Sequence, residues 1–385
     1  LKPPPCPPAY CPTLWPAMRA VQAALTILPV LVASVRMKFS DDGPVDPVIF
    51  LNNDSGQVVP RVGPISFDSE SEQVLRPTSF QDFWSDGYPQ IAKHAGIYRD
   101  KHAHPEFANM VLVTTSNSAY SVILKNWRCK ADKLGMDYIV VAFDRALQNE
   151  VGNDFGVLSD GANFPEEQRF NKGHYTEMCC MKLEVVKEIA RAGFDVVFSD
   201  ADNVFITDPF AKGVSLGDKI RSGHYDYIYQ QNFGDKPAKA VEGKEVHEGN
   251  SGFYYVTGRR KQHGVQALFS AALVECDAHK EVGDQENFWR ALRSIRKGHG
   301  RQLYGSSNFV CANLCQNGAQ CEAREEDIFS YCEMDPFQHP TGWRDASVRP
   351  RAVTYHANWI IGINNKIRKL DKEGLWDHSC AGPPE

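Results

Sequence analysis

The segment "GFDVVFSDADNVFITDPF", residues 193–210, runs an apolar stretch into Asp200 and Asp202, with a third acid, Asp208, just before Pro209. Carboxylates one residue apart at the end of a buried strand repel each other and resist burial, so a retained pair calls for a cation or a shared proton. A hard divalent ion meets that need, because Mg2+ or Mn2+ takes oxygen ligands at about 2.1 Å and is commonly bridged to substrate phosphates. The competing reading of the same residues is a solvated loop after a strand. Downstream, "HANWIIGINNKIRKLDKEGLW" places His356 after the strand-like "AVTY", where its imidazole suits Mn2+ beside carboxylates. Gly362 permits close backbone approach, and Lys366 supplies a point charge suited to a diphosphate. The plain readings of these two polar residues are a satisfied histidine and a solvated lysine beside Arg368, Lys369 and Lys372. Asp208 belongs instead to a turn before Pro209.

Such a site must be carried by strand ends. "NMVLVTT" (109–115) is a short apolar, β-branched run, followed by a helical stretch that Ser116 can cap and Gly135 can close. "MDYIVVAFD" is a second buried strand. "HYTEMCCMKLEVVKEIARAG" then sets Met178, Met181, Val185 and Ile189 at helical spacing, with Gly193 as the stop, and "FDVVFSD" is the third strand. Strands with continuous apolar runs alternating with helices predict an α/β fold whose sheet is covered on both faces. Ligands bind such sheets beyond the carboxyl ends of the strands, where Asp200 and Asp202 fall. "YDYIYQQ", "SGFYYVTG" and "AVTYHANW" read as further strands and "DQENFWRALRSI" as a helix, a mixed continuation that closes over the site. There is no internal repeat.

The chain has 385 residues, 42% of them hydrophobic, and a net charge of −6, enough apolar material for a full core. Lys and Arg form no block that would track a phosphate backbone, so nucleic acid is not an expected partner. Residues 1–17 are Pro-rich and low in complexity, and Met18 reads as the start of translation. Residues 18–36 hold an apolar stretch from Ala20 to Val35, interrupted by Pro29 and shorter than the ~20 residues of a comfortable span. Signal peptide and signal anchor both fit, and residues 37–105 read as a stem or linker before a globular domain at 106–378. The expected location is the lumen of the Golgi or secretory pathway, with the chain a single-pass type II membrane protein if the segment is uncleaved. Eleven cysteines fit that compartment, and Cys311, Cys315, Cys321 and Cys332 cluster without a paired C-x-x-C, which favours local disulfides over zinc. Cys179 and Cys180 read as small apolar helix residues, and Asn53 opens a glycosylation sequon.

In its ordered motifs the sequence resembles the nucleotide-diphospho-sugar transferases of glycosyltransferase family 77 and, more distantly, family 8, which includes glycogenin. The segments carrying the likeness are "VTTSNSAY", "VVFSDADNVFITDPF", "GNSGFYYV", "GDQENF" and "HANWIIGINNKIRKLDKEGLW", spanning residues 109–376. The resemblance implies a single GT-A-type, Rossmann-like domain with a mixed central sheet. It also implies a metal-dependent, retaining glycosyltransferase that moves a galactose-, arabinose- or xylose-class sugar from a UDP-sugar to a glycan or glycoprotein acceptor. Asp202 and His356 would bind Mn2+ or Mg2+, and Asp200 the metal or the ribose. Thr115 and Tyr120 would hold the nucleoside, and Gly362 and Lys366 the diphosphate. Asn250, Asp284, Gln285 and Lys182 would surround the transferred sugar, with Asp284 the candidate nucleophile if a covalent route operates. Bland readings of the last group are a turn former at Asn250, a helix cap at Asp284 and an exposed charge at Lys182. Ala201 and Asn203 stand where many family members carry bulkier apolar residues. Two other functions fit parts of the pattern. One is a haloacid-dehalogenase-type phosphatase using "DADNV", which lacks a second acid at Phe288; the other is a catalytically silent sugar-binding protein of the same fold.

Overall fold

The structure is a computed structural model. It describes residues 49–51, 58–60, 91–95, 97–98, 101–152, 156–158, 163–168, 174–232, 249–258, 262–297, 300–306, 309–315, 328–342 and 350–383. The chain divides into two compact units, Leu1–Val59 and Pro60–Glu385. Strand β1 (Ile49–Leu51) pairs with β2 (Val58–Pro60) in a two-stranded sheet. The segments expected at 1–17 and 18–36, and the sequon at Asn53, lie outside the described residues. Among the described residues no helix is long and apolar enough to cross a membrane.

In the second unit the chain runs β3 (Met110–Ser116), α1 (Ser121–Lys133), β4 (Ile139–Ala142), α2 (Arg145–Val151), β5 (Gly156–Leu158), α3 (Tyr175–Arg191) and β6 (Asp195–Ser199). It continues through β7 (Asn203–Phe205), α4 (Ser215–Ser222), β8 (Tyr227–Gln231), β9 (Gly249–Val256), α5 (Gln262–Ala278) and α6 (Asp284–Lys297). Strands β10 (Gly300–Ser306), β11 (Phe309–Cys315), β12 (Ile328–Glu333) and β13 (Thr354–His356) follow, then α7 (Ile363–Lys372) and α8 (His378–Ala381). Among the described residues nine strands form one mixed sheet in the order β10-β11-β12-β8-β9-β6-β3-β4-β5. Strand β3 lies parallel to both β4 and β6, whereas β9 runs antiparallel to β6 and β8. The expected α/β class and mixed central sheet are therefore present. The pairing of α2 with β5 between the second strand and the third helix was not legible, because each is only a few residues long.

Alternation along the strands explains the layering. Val111, Val113, Ile139, Val141, Val196 and Phe198 enter one buried cluster with α3, α5 and α6. Met110, Leu112, Val140, Ala142 and Val197 enter the other, with α1 and α7. Both faces are covered, so every residue of β3, β4 and β6 is buried, as their continuous apolar runs require.

Several local expectations change. The cap after β3 is Asn117, whose side chain accepts from Tyr120 N at 3.2 Å across a short 3-10 turn; Ser116 still belongs to the strand. Gly135 does adopt the left-handed conformation, at φ 60°, just past α1. Residues 91–98 fall in the expected stem, yet Ile91, Ala95 and Tyr98 are core residues, and His94 Nδ1 is 2.6 Å from Asp137 Oδ2. Cys180 is no mere apolar filler, because it is bonded to Cys276 and staples α3 to α5, with Cα atoms 6.2 Å apart. Cys129 joins Cys380, tying α1 to α8 across 251 residues. Cys179 alone fits the reading given to both, a buried free thiol. Cys332 is disulfide-bonded as well, and Cys311 is its register partner across β11 and β12.

Candidate active site

Strand β6 ends at Ser199, and the chain turns through Asp200–Asp202 into β7, with Asn203 N bonded to Asp200 O at 3.0 Å. Strand β7 pairs antiparallel with β13 in the register His356↔Asn203. That register, with Ala357 N donating to Asp202 O at 3.0 Å, brings His356 onto the acids from more than 150 residues away. Ligand atoms of Asp200, Asp202 and His356 all lie within 4.8 Å of one another.

The orientation of the histidine follows from its neighbour. Gln230, at the end of β8, turns its Nε2 to the carbonyls of His339 and Pro340, at 3.0 and 3.2 Å. Its Oε1 therefore faces His356, whose Nδ1 lies 2.9 Å away and must carry the proton. Nε2 lies 3.2 Å from Asp202 Oδ1 and 3.8 Å from Asp200 Oδ2, so it donates to the acids when it carries a proton and offers a lone pair to an ion when it does not. The three side chains thus turn ligand atoms toward one point, with Asp200 and Asp202 supplying negative charge that a cation would balance. Gly252 of β9 keeps space at this point: a Cβ there would lie inside 3.0 Å of Asp200 Oδ2, His356 Cε1 and Asn250 Oδ1 alike. The donor set, two carboxylates and one imidazole, fits a divalent ion of the Mn2+ or Mg2+ kind.

Two lysines flank the acids. Lys366, one turn into α7, pairs with Asp202 Oδ2, and Lys182 of α3 lies 3.2 Å from Asp200 Oδ1 and 3.1 Å from Asp284 Oδ2. Burial by itself would push the Asp202 carboxyl up, but the Lys366 ammonium and the His356 ring outweigh it and hold it well below the usual range. Burial would likewise push Lys182 down, and Asp200 with Asp284 outweigh it, so the ammonium stays charged well above its ordinary value. Asp284 is the reverse case: burial pushes its carboxyl up against the pull of Lys182, with Asp200 adding repulsion. Lys182 is thus largely covered, its side chain 11% exposed, and bridging rather than an exposed helix charge.

The remaining expected residues divide. Asn250 accepts from Gly252 N at 2.7 Å and donates to Asn232 Oδ1 at 3.3 Å, while Gln285 Oε1 accepts from Ser251 N at 3.3 Å. Both stand beside the cluster. Gly362 has φ 89° at the start of α7, and a Cβ there would meet only Asn365 Nδ2 at 3.7 Å, so backbone conformation, not crowding, asks for glycine. Thr115 is the penultimate residue of β3, and Tyr120 lies in the following turn, with its hydroxyl donating to Gln168 O at 3.4 Å. Asp208 forms the expected turn, accepting from Phe210 N at 2.9 Å. Sequence reasoning passed over Gln230 and Gly252. Polar residues ending an apolar strand in "YDYIYQQ", and a glycine inside "GNSGFYYV", were the available signals.

The sequence pattern of the nucleotide-diphospho-sugar transferases matches residues 135–370, more than half of the chain. No curated protein matches. Among solved structures, the glycosyltransferase GlyE of Streptococcus pneumoniae TIGR4 is similar at 12% identity and TM-score 0.39, over 70% of this chain. The chain spans 61% of the length of GlyE. The galactosyltransferase LgtC, solved with donor and acceptor sugar analogues, is similar at 12% identity and TM-score 0.37, over 69% of this chain and 96% of its own. The chain belongs to the nucleotide-diphospho-sugar transferase family.

Proposed function

We propose that the chain is a metal-dependent, retaining glycosyltransferase that moves a sugar of the galactose, arabinose or xylose class from a UDP-sugar to a glycan or glycoprotein hydroxyl. The observation that carries this reading is the meeting of Asp200, Asp202 and His356 around Gly252, with Lys366 beside them. Asp200, Asp202 and His356 would hold Mn2+ or Mg2+. When bound, the ion supplies Lewis-acid neutralisation of charge on the departing diphosphate. Lys366, now held by Asp202, swings to the diphosphate and adds a second positive charge. Thr115 and Tyr120 hold the nucleoside, and Gly362 lets the backbone turn beneath the diphosphate.

Asn250, Gln285, Lys182 and Asp284 surround the sugar. The bond from its anomeric carbon to the diphosphate oxygen breaks, the acceptor oxygen forms the new bond, and the acceptor proton leaves on the diphosphate. Retention follows if departure and attack use one face, or if the Asp284 carboxylate first forms a covalent intermediate. Desolvation, which raises Asp284, makes its carboxylate the more basic and so the better nucleophile. The phosphatase alternative has no second acid, since Phe288 is a buried core residue. The disulfides fit an oxidising lumen such as the Golgi, which the N-terminal segment would reach as signal peptide or type II anchor.

A panel of UDP-sugars with Mn2+, scored for UDP release with and without EDTA, tests the reading. Asp202→Ala is expected to remain folded and to lose metal-dependent turnover. Release unaffected by both EDTA and Asp202→Ala would refute the metal assignment, and no release from any nucleotide sugar would refute the transferase.

A further inference from the structure

Trp359 is the side chain in this site that the chemistry above leaves unused. It follows His356 by three residues and is 46% exposed, whereas Asn250 and Asp284 are 4% and 3% exposed. Its indole Nε1 donates to Asn232 O at 3.4 Å, and the Asn232 side chain accepts from Asn250 at 3.3 Å. The ring is therefore tied to the rim of the cluster by its chain neighbour His356 and by its own N–H.

The backbone makes the same point independently. Trp359 has φ 64°, a left-handed conformation that is an outlier for a bulky residue, and such strain persists where the surroundings over-determine it. Here Ala357 N is held by Asp202 O at 3.0 Å, and Asn358 Oδ1 accepts from Gly342 N at 2.9 Å. Glycine would occupy the position without strain, so tryptophan is held at a cost, with its ring at the solvent boundary. Ile361, 61% exposed, adds apolar surface in the same loop.

We infer that Trp359 is the stacking platform for the acceptor sugar, an inference that rests on the transferase reading above. The C–H face of a pyranose carries partial positive charge that the negative face of an indole attracts. The donor sugar is assigned to the buried groups Asn250, Asp284 and Lys182. A ring at the outer edge instead meets a sugar arriving from solvent.

The test uses the whole chain labelled with 5-fluorotryptophan, its 359 resonance identified by loss in Trp359→Phe. Methyl glycosides of galactose, xylose and arabinose are titrated in with and without UDP and Mn2+. A saturable shift of the 359 resonance, larger than at the other tryptophans, is the expected result. In transfer assays, Trp359→Gly should raise the acceptor KM about tenfold while donor hydrolysis without acceptor stays within twofold. Glycine relieves the backbone strain, so an unchanged melting temperature separates this effect from misfolding. No shift with any glycoside, or a wild-type acceptor KM in Trp359→Gly, overturns the inference. A 359 shift in a protein that turns over no donor would refute the transferase reading and leave the sugar-binding surface standing.

Discussion

Replacing Gly252 with alanine tests the site most directly. The new Cβ would come inside 3.0 Å of Asp200 Oδ2, His356 Cε1 and Asn250 Oδ1, so the first two must retreat by about 1 Å, and Asn250 by about half that, to reach ordinary contact. His356 is 2% exposed and wedged against Gln230, whereas Asp200 is 27% exposed and can swing outward. The strain is therefore relieved mainly by Asp200, and the stability cost falls near the low end for overpacking, about 1 kcal/mol, or a few degrees in Tm. Metal binding has no such tolerance, because ligand distances must hold to about 0.2 Å. The expected result is a Kd for Mn2+ raised at least about tenfold, roughly 1.4 kcal/mol, together with loss of metal-dependent UDP release. Titration calorimetry with Mn2+, scanning fluorimetry and the turnover assay read the three quantities separately. Unchanged Mn2+ affinity in a folded Gly252→Ala would show that the ion does not bind among these residues.

Gln230→Leu removes the acceptor that fixes the His356 tautomer, and Mn2+ affinity is expected to fall about 10- to 100-fold by calorimetry; wild-type affinity would contradict the tautomer argument. His339 is fully buried, and burial, with Lys219 adding repulsion, pushes its pKa down to about 3. Between that value and the ordinary 6.5 the unfolded chain takes up a proton that the folded chain refuses, so stability rises with pH through this window and is lost as pH falls. Denaturant titrations from pH 4 to 6 should show a slope smaller by about one proton in His339→Gln, and equal slopes would count against it. Cys179, whose thiol is pushed up to about 12 by burial and by Asp284, should resist iodoacetamide at pH 8 in the native protein and react once unfolded. Rapid native labelling, read by mass spectrometry, would contradict its burial.

Local pattern was enough for the elements that carry the acids. Continuous apolar runs made β3, β4 and β6 legible because both sheet faces are covered, and the helical spacing of Val185 and Ile189 gave α3 and its buried face. The acids themselves, and the glycine that turns the chain into α7, could be read for the same reason: their chemistry is local. The partners lay beyond its reach. Gln230 and Gly252 matter only because β8 and β9 pair next to β6, and no spacing in sequence encodes that adjacency. Cys180 looked like packing until α5 came alongside α3. By itself, then, the sequence determined an α/β chain with paired carboxylates at a strand end, and a histidine and lysine suited to a metal and a diphosphate. Only the tertiary structure decided that they meet, because the β7–β13 register brings His356 to Asp202, Gln230 fixes its proton, and a missing Cβ at position 252 leaves room.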